Sequence, residues 1–159
     1  MKYSDDLYDV KNDLKFASVF GILCAIASAF ATVYSAEAAY IFIAILIGNF
    51  IALKVDGLHH IITLIVYLAL SLILGIPQLS LVILLICILA AFSDEVGHEL
   101  ISKYTDNTFL NLFFEYRFVM KVVILLLAIC GIFSIWIFVC FISFEIAYEI
   151  SGIIFEKLN

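Results

Sequence analysis

The sequence predicts an all-α, polytopic transmembrane helical bundle, and three observations carry that prediction. Of the 159 residues, 66% are apolar and 14% charged, with a mean hydropathy of +1.22. Soluble domains carry nearer ~25% charged residues. The apolar residues also gather into long runs without charge, while the charged ones cluster between runs. Fifteen Phe and eight Tyr exclude a disordered chain. A net charge of −6 leaves no basic stripe to neutralise phosphates, so nucleic acid is excluded as a partner.

The opening stretch, MKYSDDLYDVKNDLK, carries four aspartates among its lysines. A secretory leader needs a net positive start, so the first apolar run is expected to be a retained crossing at about 16–34. Ser35-Ala36-Glu37 makes a short turn, and a second crossing follows at about 38–54. Asp56-Gly57 is a turn or cap signal, after which a third crossing is expected over 58–76. The single proline, Pro77, reverses the chain into a fourth crossing at about 79–97. Val122–Phe144 then runs without a charge, and Gly131 alone does not divide it, so a fifth crossing is expected at 118–144. Residues 145–157 set Ile146, Ile150, Ile153 and Ile154 against Glu145, Glu149 and Glu156, a pattern for an interfacial amphipathic helix. The whole chain, 1–159, reads as one integral membrane domain.

Five crossings place seven of the eight basic residues on one side, leaving Lys157 on the other. Short loops rich in Lys and Arg stay cytoplasmic, so the N-terminus is expected inside and the C-terminus outside.

The spacing of the charges is informative. Only 33 residues separate His60 from Asp94. After a proline turn, each helix of that hairpin has too few uncharged residues to cross a ~30 Å core, at ~1.5 Å per residue. The hairpin is therefore re-entrant, or its charged ends lie at the inner interface. All three histidines fall in those ends, as Asp56-x-x-His59-His60 and Glu95-x-x-His98-Glu99. A separation of three or four residues puts side chains on one helical face. An acidic residue followed three positions later by His is also the ligand spacing of di-metal carboxylate bundles.

These residues predict a divalent transition-metal site of zinc, iron or manganese at the cytoplasmic interface. Asp56, His59, His60, Glu95, His98 and Glu115 are the expected ligands, with Asp94 and Glu99 as completing ligands or catalytic bases. Lys54, Arg117 and Lys121 lie at headgroup level and are expected to hold a lipid phosphate. A metal-dependent enzyme acting on a membrane lipid heads the functional expectations. The alternatives are a proton or metal-cation transporter using the same residues, and a non-catalytic subunit of a larger membrane complex. Homo- or hetero-oligomerisation is open. The cysteines Cys24, Cys87, Cys130 and Cys140 lie in apolar runs without Cys-x-x-Cys spacing and read as small hydrophobes.

Overall fold

A computed structural model describes residues 1–55, 57–104 and 107–158. Among them are eight helices and no strand: α1 (Lys2–Asp9), α2 (Leu14–Tyr34), α3 (Ala36–Ile51), α4 (Leu58–Leu74), α5 (Leu81–Tyr104), α6 (Thr108–Glu115), α7 (Phe118–Ile129) and α8 (Ile135–Leu158). Three stretches, Leu14–Tyr34, Leu81–Ile101 and Ile135–Lys157, are long and apolar enough to cross a membrane; α3, α4 and α7 are shorter apolar helices.

The helix starts follow capping chemistry. Asp13 accepts the Phe16 N–H at the head of α2, Ser35 accepts that of Ala38 for α3, and Asn107 accepts those of Phe109 and Leu110 for α6. Helices α2 and α4 run parallel and pack along one seam, as do α3 and α5. What permits the approach is small residues. Ala17, Gly21, Ala25 and Ala29 recur every four positions along α2 and are all buried. On α3, Ala44 and Gly48 do the same against Ala91 of α5. Large apolar side chains point outward instead: Leu23, Leu72, Ile73, Leu81, Ile129 and Trp136 are all exposed. Small residues at the α2–α4 and α3–α5 seams and large apolar ones on the outer faces are compatible with helices surrounded by lipid, while Tyr40, Ile124, Leu127, Phe133 and Phe141 fill a core of larger side chains.

Gly48 shows how tight the α3–α5 seam is. A Cβ there would lie 3.0 Å from the Phe92 nitrogen and 3.1 Å from the Ala91 carbonyl carbon, both backbone atoms. Replacing a helical glycine by alanine ordinarily gains up to ~1 kcal/mol. Here Gly48→Ala should instead lower the unfolding temperature in detergent, because the seam must open; a rise would contradict the close approach.

The single crossing expected at 118–144 is divided. Gly131 adopts φ +73°, its N–H bonds to the Ala128 carbonyl and the Ile132 N–H bonds to that of Leu127. This is a Schellman stop, which a glycine in the left-handed region allows. Ser134 then accepts the Trp136 N–H and opens α8. Glu37, at the head of α3, accepts the Ser134 N–H at 2.6 Å and ties this corner to the α2–α3 turn. Helix α8 therefore runs back antiparallel to α7, with Lys121 3.2 Å from Glu145.

Three expectations change with it. Five crossings are not confirmed: among the described residues three helices are long and apolar enough to span and three more are shorter. Residues 145–157 continue α8 without a break and are not a separate surface helix. The C-terminal turns also lie at the same end as the N-terminus, where Phe155 packs with Leu7 and Ala17 and Gly152 sits against Lys2. The helix expected over 79–97 starts at Leu81 and reaches Tyr104, so Asp94–Glu99 lies inside a helix rather than at its end.

Candidate metal centre

One end of the bundle collects the chemistry. Helix α1 folds back across it, anchored by Leu7 beside Ala17 and Phe155. The Ser4 hydroxyl donates to the Ala17 carbonyl at 2.7 Å, and Lys2 pairs with Asp6 at 3.0 Å. That docking carries Asp5 to the first turn of α4. Asp5 Oδ1 lies 3.1 Å from His59 Nε2 and 3.7 Å from His60 Nε2. Candidate ligand atoms of these three side chains all fall within 4.8 Å of one another. Ligands of a tetrahedral ion at ~2.0–2.1 Å stand ~3.3 Å apart, close to the two separations seen.

Local packing fixes the histidines. His59 is 1% exposed, and the Tyr8 ring covers it with centroids 4.5 Å apart. Gly57 leaves room for that imidazole: a Cβ there would lie 2.6 Å from Nδ1. The same Nδ1 is buried without a hydrogen-bond partner, so the polar end of His59 is its Nε2, facing Asp5. The His60 ring lies 4.1 Å from that of His59. Burial pushes the Asp5 carboxyl above its usual range, and the two histidines pull it down only in part.

The other expected site residues have different surroundings. Asp56 lies outside the described residues. Asp94, 2% exposed, receives the Val119 N–H at 2.9 Å and the Met120 N–H at 2.7 Å. It caps the first turn of α7, whose own N-cap, Arg117, offers no side-chain bond and sits at φ +50°. Glu95 holds Arg117 at 2.9 Å, and the guanidinium lies 5.5 Å from the Tyr148 ring. His98 is exposed at the end of a cavity, Glu99 pairs with Lys54 at 3.2 Å, and Glu115 is exposed on α6. The Glu95-x-x-His98 dyad thus faces the same cavity as His60 without joining the Asp5–His59–His60 cluster. Lys54, Arg117 and Lys121 each have a carboxylate partner, Glu99, Glu95 and Glu145 respectively.

The cavity measures about 560 Å³. Its polar end includes Asp5, His60, Glu95, His98 and Arg117, and its deep end Phe42, Leu46, Leu64 and Phe141. Comparison with protein-family models, curated proteins and solved structures finds no match.

Proposed function

We propose that this chain is an integral membrane protein that binds a divalent transition metal through Asp5, His59 and His60 at its cytoplasmic end. The convergence of one carboxylate and two imidazole nitrogens carries this reading. They come from segments more than fifty positions apart and meet at ligand-like separations. A fold that brings them together only for packing has no need to bury an imidazole against a carboxylate below a charged surface. Zinc, iron and manganese all accept this donor set. Three protein ligands leave a position for an oxygen-bearing ligand, and an ion there would act as a Lewis acid towards it. That is the arrangement of a metal-dependent enzyme working on a membrane-resident substrate.

The membrane placement rests on charge. Lys2, Lys11, Lys15, Lys54, Lys103, Arg117, Lys121 and Lys157 make up all the basic residues, and every one is at the end that carries both termini. At the other end, the turns at 35, 75–80 and 130–134 bring only Glu37 close by. Such asymmetry favours a cytoplasmic position for the basic end. In a chain whose other cysteines are removed, Cys130 should react with a membrane-impermeant thiol reagent from outside intact cells. With Cys130 also replaced, Lys157→Cys should react only after permeabilisation. Labelling of Lys157→Cys in intact cells would restore the five-crossing arrangement and remove this topology.

The test of function is elemental analysis of protein purified without a histidine tag, alongside thermal stability with added zinc, iron or manganese. About one ion per chain, with stabilisation by the same metal, is the expected result. No metal and no stabilisation would make the cluster an ordinary buried hydrogen-bonded group.

A further inference from the structure

We propose that the central cavity receives the hydrocarbon chain of a single-chain amphiphile, whose anionic oxygen-donor head, carboxylate or phosphate, meets the metal held by Asp5, His59 and His60. The inference rests on the metal reading for the head group and on the cavity alone for the chain. The cavity lies between α2, α3, α4, α5 and α8, and its lining changes character with depth. Asp5, His60, Glu95 and Arg117 stand at the end where α1 crosses. One turn further in come Asn49, Thr63 and Phe144, and beyond them Phe42, Leu46, Leu64 and Phe141. From His60 to Tyr67 the lining follows α4 for roughly 10 Å at ~1.5 Å per residue, so the cavity is elongated along the helices.

Its volume falls within the ~300–1,000 Å³ of sites that enclose small molecules. The inner walls are mainly Phe42, Leu46, Leu64 and Phe141, with Ser28 and Tyr67 among them, and suit a hydrocarbon tail better than a hydrated cation. The polar end has the opposite preference. Asp5 and His60 line the cavity whereas His59 lies behind them, so the open position of a three-ligand ion would face the cavity. Arg117, Lys54 and Lys2 have carboxylate partners, so an anionic head gains most from the metal and less from these cations.

The experiment uses the full chain in detergent with two probes, a long-chain fatty acid bearing a mid-chain diazirine and the matching monoalkyl phosphate. Photolysis should insert either probe into peptides carrying Phe42, Leu46 or Phe141, and the unlabelled amphiphile should compete. Insertion by either head group supports the proposal, the stronger of the two naming the source. Leu46→Trp should lower insertion about tenfold, the cost of denying roughly two methylenes an apolar environment, while metal content stays at the wild-type level. Insertion confined to the outward faces around Leu72, Ile73 and Trp136, with metal still bound, would overturn the inference alone. Interior insertion in a protein that binds no metal would instead overturn the head-group assignment and the metal reading, leaving the chain site standing.

Discussion

His59→Ala, purified without a histidine tag, should bind zinc about a hundredfold more weakly than the wild type, and Asp5→Ala and His60→Ala should match it. Structural zinc sites gain ~10–16 kcal/mol from four ligands, so one ligand is worth ~3 kcal/mol, or about two orders of magnitude in affinity. The metal content of the double variant His59→Ala/His60→Ala as purified should fall little below that of either single variant, because a site that has lost one of three ligands is already near empty. His98→Ala and Glu115→Gln should leave affinity unchanged, since neither side chain belongs to the cluster. Competition against a chromophoric chelator reads the wild type and all six variants on one scale. Equal losses for His98→Ala and His59→Ala would move the site to the mouth of the cavity and contradict the geometry described.

Glu95→Ala should destabilise the bundle by about 2 kcal/mol, less than the ~3–5 kcal/mol of a fully buried pair because the Arg117 side chain left behind is 34% exposed. Glu95 has 6% of its side chain exposed and holds Arg117 at 2.9 Å. Arg117 sits at the turn into α7, beside the Asp94 carboxylate that caps that helix. Truncating Glu95 thus leaves a cation facing Tyr148 without its nearest counter-charge and loosens the start of α7. Glu95→Ala/Arg117→Met should recover most of the loss, because the uncompensated charge is gone. Unfolding in detergent checks both, and the metal content of Glu95→Ala should remain at the wild-type level. Stability unchanged but metal lost would make Glu95 a ligand after all.

The bundle itself was legible in the sequence because uncharged runs, Asp-Gly and the single proline are local signals. What was missed came from contacts that local spacing does not encode. Asp5 is a ligand candidate only because α1 folds back, and nothing in Tyr3, Leu7 and Tyr8 states which helix they will dock against. An amphipathic reading of MKYSDDLYD would have found α1 itself. At the α7–α8 corner Gly131 alone did not suffice as a signal, and Ser134 supplies the second half of it. Gly131 followed by Ser134 is a helix stop and a helix start, but it lay in an apolar run that invited one long crossing. That one corner reverses the chain and brings Lys157 and the C-terminus to the basic end. The two acidic–histidine dyads were expected to share a site because both sit at one end of neighbouring helices. Of these residues, His60 shares a cavity with Glu95 and His98, yet α5 continues through its dyad to Tyr104 and turns Glu95 towards Arg117. The alanine and glycine repeat along α2 was also readable, at Ala17, Gly21, Ala25 and Ala29. It marks the buried face of α2, which meets α1 at Ala17 and α4 from Gly21 to Ala29.

The most direct test is X-ray absorption at the metal edge of the purified wild-type protein loaded with zinc, because it counts imidazoles around the ion. The account predicts two imidazole ligands with oxygen donors completing the shell, falling to one in His60→Ala. A wild-type spectrum without imidazole scattering, or one with three imidazoles that include His98, would contradict a centre built from Asp5, His59 and His60.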